Sequence, residues 1–123
     1  MDGMISGAIR GATAPVENTR QSIATAAVEL VSQICLRNQL QSADIVYIMF
    51  SATQDLDAAY PAEAVRAVGF QQVPMFCVQE MHVVNSLAAC LRVLVVTNKP
   101  GEYRPQHVYL GAAQGLRPDL VEE

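Results

Sequence analysis

The 123-residue sequence predicts a mixed α/β domain of the α+β kind: one mixed β-sheet packed by one long and one short helix. Three observations carry this. Apolar stretches rich in strand-forming residues recur along the chain, with helical stretches between the first three. One stretch of nearly twenty residues keeps the apolar spacing of a helix. No repeat, linker or low-complexity tract divides the chain, whose length suits one domain spanning 1–123. Apolar residues make up 51% and charged residues only 16%. A domain this small cannot hide that much apolar surface alone, so a homo-oligomer with substantial interfaces is expected.

The elements follow in order. Met4 to Ala12 reads as a first strand, with Gly7 and Gly11 marking a bend or a close backbone approach. Asn18 or Thr19 can cap a helix running to about Arg37, whose Ile23, Ala27, Leu30, Val31, Ile34 and Cys35 share a face. Asn38 is a plausible end. Ser42 and Asp44 suggest a turn or short helix before a buried strand, Ile45 to Phe50. The loop SATQDLDAAY leads to Pro61, which favours a first helical turn, and a short helix over Ala62 to Val68 stops at Gly69. Val73 to Val78 is a third strand. A turn near Asn85 and Ser86 precedes a fourth over Cys90 to Thr97, and Asn98 to Gly101 turn again. His107 to Leu110 is the last strand; from about residue 115 the polar LRPDLVEE reads as a mobile tail.

Composition excludes several function classes. A net charge of −4, with eight Lys and Arg and no basic cluster, argues against nucleic acid as a partner. No apolar run approaches the roughly 18 residues of a membrane span. The N-terminus lacks the basic-then-apolar layout of a signal peptide, so a cytoplasmic location is expected. Cys35, Cys77 and Cys90 with His82 and His107 match no zinc spacing, so no metal is expected.

The residues suspected of chemistry are charges inside apolar strands. Arg10 in AIRG and Arg92 in CLRV each need an anion, a solvated cleft or the wet face of a half-exposed strand. Glu80, directly after VPMFCVQ, is either a salt-bridge partner for one of them or part of a site. Cys77 reads as a small core hydrophobe rather than a nucleophile. Tyr109 packs its ring and has a hydroxyl able to donate to an anion. Phosphate loops and Ser–His–Asp or Cys–His–Asp motifs are missing. Residue types alone thus point to a pocket for a small anionic molecule, in which arginines and a tyrosine hold carboxylates and a glutamate accepts from a hydroxyl.

IRGAT (9–13), SATQDLDAAYPAEAVR (51–66), VPMFCVQEM (73–81), CLRV (90–93), HVYL (107–110) and LRPDL (116–120) together resemble the monofunctional chorismate mutases of the trimeric, sheet-rich class. The likeness covers nearly the whole chain. It implies a barrel-like homotrimer with active sites between subunits. It also implies rearrangement of chorismate to prephenate, in aromatic amino acid biosynthesis, by a pericyclic Claisen shift without cofactor or covalent intermediate. By matching position, Arg10 and Tyr109 grip carboxylates. Arg92 stands beside the breaking ether oxygen, and Glu80 and Cys77 meet the ring hydroxyl. Tyr60, Ala62, Met75 and Leu116 line the pocket, with Arg66 and Arg117 near its mouth.

Three positions depart from the family pattern: Tyr60 replaces a familiar phenylalanine, Phe76 stands where a small polar residue can occur, and Glu63 where a lysine can occur. In a regular strand Cys77 and Glu80 would face opposite sides, so one hydroxyl meets both only if the strand ends or bulges between them. Two other readings fit the residues. One is an imine or enamine deaminase on a similar trimeric barrel, the other a non-catalytic carboxylate-binding trimer.

Overall fold

The computed structural model describes residues 6–99, 101 and 104–120. Five strands form one sheet in the order β3-β2-β4-β1-β5: β1 (Gly7–Ala14), β2 (Ile45–Ala52), β3 (Met75–Gln79), β4 (Leu91–Thr97) and β5 (Val108–Gly111). Helices α1 (Arg20–Asn38) and α2 (Pro61–Ala67) complete the fold. β4 lies at the centre, antiparallel to β1 and β2, while β5 and β3 extend the sheet in parallel on either side. The mixed sheet with one long and one short helix is the predicted architecture.

Both helices lie on one face. Alternation along the strands turns Ile9, Ile48, Phe50, Leu91, Val93, Val95 and Val108 toward α1 residues Ile23, Ala27, Leu30, Val31 and Ile34, forming the main core. Gly11 permits the closest approach: a Cβ there would meet Ile34 Cδ1 at 2.8 Å, Val93 Cγ1 at 3.0 Å and Leu30 Cδ1 at 3.1 Å. Thr19 caps α1 by accepting the Ser22 N–H at 3.0 Å. Asn18 does other work, since its side-chain oxygen takes the N–H groups of Asp57 and Ala58, each at 3.0 Å, and so ties down the loop before α2.

Element limits differ from expectation for local reasons. The first strand begins at Gly7 among the described residues; Met4 and Ile5 lie outside them, as does Pro100 of the expected turn. The third strand starts at Met75 because Pro74 has no N–H to give; its carbonyl still accepts from Ile48 N at 2.9 Å. α1 reaches Asn38 and closes on Gln39 in the left-handed region, φ 54°.

Among the described residues the opposite face carries no α-helix. Arg10, Ala12, Tyr47, Met49, Ser51, Phe76, Val78, Arg92, Leu94 and Tyr109 belong to it by register. The chain beyond β5 covers one end, where Leu116 and Leu120 pack on a small cluster of Ala12, Ala14, Cys90, Tyr109 and Ala113. Two 3-10 turns, Ala112–Gly115 and Pro118–Leu120, shape this segment, which the sequence reads as tail. Residues 121–123 lie outside the described part.

Gly111 makes that return possible. It sits at φ 60°, ψ −139°, and a Cβ there would lie 2.3 Å from the backbone oxygen of Ala14. Neither the torsion nor the backbone contact can be relieved by a side-chain rotation. Gly111→Ala should therefore lose roughly 1–3 kcal/mol of stability or more, read as a fall in the denaturant midpoint at constant slope. An unchanged midpoint would contradict this account of the turn.

Candidate active site

Four of the sequence-singled residues meet on the open face. Ser51, Arg92 and Ala12 sit side by side on β2, β4 and β1, and Tyr109 is the next partner of Ala12 on β5. Arg10 pairs with Leu94 one step along. Arg10, Arg92 and Tyr109 line a cavity of about 200 Å³ together with Ser51, Met49 and Leu94. Two guanidiniums and a phenol thus face one space, the donor set suited to a small dianion.

Glu80 reaches this face from the end of β3. Its N–H donates to Ala52 O at 2.8 Å, so the backbone remains tied to β2 one residue beyond the strand. Its carboxylate accepts from Ser51 Oγ at 2.6 Å and lies 3.4 Å from Arg92 Nε, with the two charged side chains 26% and 39% exposed. The 3.4 Å contact is an ion pair without hydrogen-bond geometry. Arg92 Nε is buried and has no hydrogen-bond partner among the described residues; an unsatisfied buried donor normally costs about 1–3 kcal/mol. A charged donor held in this way beside a cavity is available to an incoming oxygen. The neighbouring Cys90 thiol is pushed up by burial, an effect the Arg92 charge opposes.

The other sequence-singled residues lie elsewhere. Cys77 pairs with Phe50 and Met75 with Ile48, and both pack against the core on the helix side. Cys77 also lines a second cavity of about 520 Å³ with Tyr60, Gln79, Arg20 and Glu63. Tyr60 is 74% exposed at its edge. Ala62 is buried in the core, and Arg66 is exposed in the last turn of α2. Glu63 binds Arg20 at 2.5 Å, so the acid is neutralised by a cation from α1. Leu116 is half-buried against the Tyr109 cluster, and Arg117 is partly exposed and holds Asp119 at 3.0 and 2.8 Å. Within one chain Cys77 and Glu80 stay on opposite sides of the sheet.

Ser51 and His107 escape a reading by residue type. Ser51 ends the alternation Tyr47, Met49, Ser51, where a polar residue replaces an apolar one on the open face, but only the register sets it opposite Arg92. His107 accepts the Arg10 backbone N–H on Nδ1 at 2.9 Å.

Residues 6–120 match the chorismate mutase type I family. The chain belongs to that family. It is 42% identical over 120 residues to the chorismate mutase AroH of Bacillus subtilis (strain 168), covering 95% of this chain and 93% of that protein. The chorismate mutase AroH of Thermus thermophilus is 40% identical over 115 residues, covering 91% and 93%. A chorismate mutase structure from Clostridium thermocellum superposes with a TM-score of 0.84 at 37% identity, covering 89% of this chain and 98% of that one. The chain is accordingly a chorismate mutase, an isomerase, and neither the deaminase nor the non-catalytic reading is favoured.

The Ser51 hydroxyl is the one side-chain donor bonded to the Glu80 carboxylate among the described residues. Hydrogen bonds to charged groups contribute about 1.5–3 kcal/mol. Ser51→Ala should lower kcat/KM about tenfold or more while leaving the fold intact, measured as slower loss of the ultraviolet absorbance of the substrate diene. Wild-type kinetics in a folded Ser51→Ala protein would show that Glu80 needs no such support.

Proposed function

We propose that the chain catalyses the rearrangement in a homotrimer whose active sites lie between subunits. In each site the open face of one chain meets the Cys77 and Tyr60 cavity of the next. The observation that carries this is the division of polar residues between the two sides of one sheet. Arg10, Arg92, Glu80 and Tyr109 line one side, while Cys77 and Tyr60 border the other. The open face also leaves Phe76 62% and Val78 38% exposed, and Met81, Val83 and Val84 follow them on the surface. Apolar exposure of this kind marks an interface.

Chorismate carries two carboxylates and must be held in a compressed chair for its bond-forming ends to meet. Arg10 and Tyr109 grip carboxylate oxygens and supply that orientation. As the ether C–O bond breaks and the new C–C bond forms, the ether oxygen gains negative charge. Arg92, preplaced with a free Nε, binds that oxygen more tightly in the transition state than in the substrate. Glu80 accepts from the ring hydroxyl and balances the local positive charge, and Cys77 approaches the same hydroxyl from the neighbouring chain without acting as a nucleophile. Tyr60 and Leu116 shape the walls, with Met75 and Ala62 packed behind them in the core, and Arg66 and Arg117 stand at the mouth. The reaction is intramolecular, so the proposal calls for no cofactor. No helix among the described residues is long and apolar enough to cross a membrane; a cytoplasmic location is part of the proposal.

Mixed trimers test the arrangement. Arg92→Gln disables the open-face half, and Tyr60→Asp, at an exposed position, sets an anion against the substrate in the other half. Co-refolding the two inactive proteins should restore activity, since about a quarter of the sites in a random mixture combine two intact halves. Absence of recovery after exchange has been demonstrated, or sedimentation as a monomer at micromolar concentration, would contradict the shared site.

A further inference from the structure

We propose that His107 is a positioning residue for Arg10: its imidazole accepts the Arg10 backbone N–H and thereby fixes the stretch of β1 that presents the guanidinium to the open-face cavity. The inference rests on the carboxylate-gripping role proposed above for Arg10. The parallel ladder between β1 and β5 begins only at Gly11 and Val108. One step earlier, the Arg10 N–H finds the His107 ring, with Nδ1 at 2.9 Å, in place of a strand carbonyl. An Nδ1 that accepts belongs to a neutral ring carrying its proton on Nε2.

The backbone next to His107 is itself held from the far side of the domain. Asn38, buried at the end of α1, donates through Nδ2 to Gln106 O at 2.9 Å and to Ile34 O at 2.8 Å, and accepts the Gln106 N–H on Oδ1 at 2.7 Å. Lys99 Nζ ties the same helix end by donating to Asn38 O and Gln39 O at 3.0 and 2.9 Å. Hydrogen bonds therefore tie the α1 terminus to the Gln106 backbone, and the next residue along the chain, His107, is bonded to the backbone of Arg10. What the Arg10 backbone uses is an acceptor nitrogen on the ring.

Protonation of His107 places a second donor opposite the Arg10 N–H and breaks the link. The charged groups acting on the ring are Arg10 from β1 and Arg117 from the C-terminal segment; Asp119 pairs with Arg117 and feels the Arg10 charge. Burial, then Arg10, then Arg117 hold the His107 pKa below the ordinary histidine value, which keeps the ring neutral near pH 7. As pH falls through that depressed pKa, the link is lost and substrate binding weakens.

Steady-state kinetics of three variants across pH test this. His107→Phe keeps a ring without an acceptor and should raise KM about tenfold with kcat within about twofold, the scale of one hydrogen bond. His107→Asn offers Oδ1 near the position of Nδ1 and should recover most of that loss. Wild-type kcat/KM should fall on the acid side partly through KM, and in His107→Asn the KM part of this fall should be absent, leaving any loss carried by Glu80. An unchanged KM in His107→Phe, equal damage in His107→Asn, or an acid rise in KM identical in His107→Asn and wild type would each overturn the proposal. Should His107→Phe not fold, the pH comparison of His107→Asn with wild type decides alone. Arg10→Gln, measured alongside, separates the two levels: a normal KM there sinks the gripping role, whereas a raised KM with a normal His107→Phe sinks only the positioning role.

Discussion

A guanidinium in the middle strand of a sheet must be held without being consumed. Arg92 projects from β4 between Ser51 on β2 and Ala12 on β1, where an unopposed charge would be expelled or would distort the strand. Glu80 supplies the opposing charge from just beyond β3, at a distance that neutralises Arg92 without capturing Nε in a hydrogen bond. The Ser51 hydroxyl occupies Glu80 Oε1 at 2.6 Å and the Glu80 N–H binds β2, so the carboxylate is oriented from two directions. Much of the fold serves this placement. The order β3-β2-β4-β1-β5 brings the end of β3 to the same face as the middle of β4, and Gly11 lets α1 press close enough behind to leave the other face for polar work.

The two faces of the sheet are therefore chemically unequal. One is a close-packed core against α1 and α2; the other mixes arginines, a glutamate and a tyrosine with exposed apolar side chains. Water alone is a poor cover for such a surface, because Phe76 and Val78 gain nothing from hydration. A second copy laid on this face would exclude water from around Arg92 and strengthen its pull on a developing anion. On the proposed reading, oligomerisation and catalysis draw on the same surface.

Much of this was legible in the residues themselves. The spacing of Ile23, Ala27, Leu30, Val31 and Ile34 gives α1 directly, Pro61 gives the start of α2, and the buried strands announce themselves by apolar runs. Arg10, Arg92 and Glu80 stood out because charge inside an apolar stretch is expensive, and the structure does bring them to one face. The partners of these charges were harder to see. Ser51 looks like a loop residue until strand register sets it opposite Arg92. Asn38 looks like a helix stop, yet it clamps Gln106 through both N–H and carbonyl, a contact 68 residues away. The C-terminal segment reads as polar tail, but Leu116 and Leu120 suffice to dock it over Tyr109. Such contacts depend on which strands become neighbours, which a one-dimensional pattern does not encode.

The central claim is that Arg92 acts on the transition state more than on the bound substrate, and kcat of Arg92→Gln tests it most directly. Glutamine retains a donor and part of the reach but removes the charge. Loss of a preorganised donor of this kind costs roughly 2.7–4 kcal/mol, or about a hundred- to a thousandfold in rate. The account predicts a folded protein with kcat at least about a hundredfold lower and a smaller change in KM. A near-normal kcat would contradict it, leaving Arg92 as a structural ion-pair partner of Glu80 and nothing more.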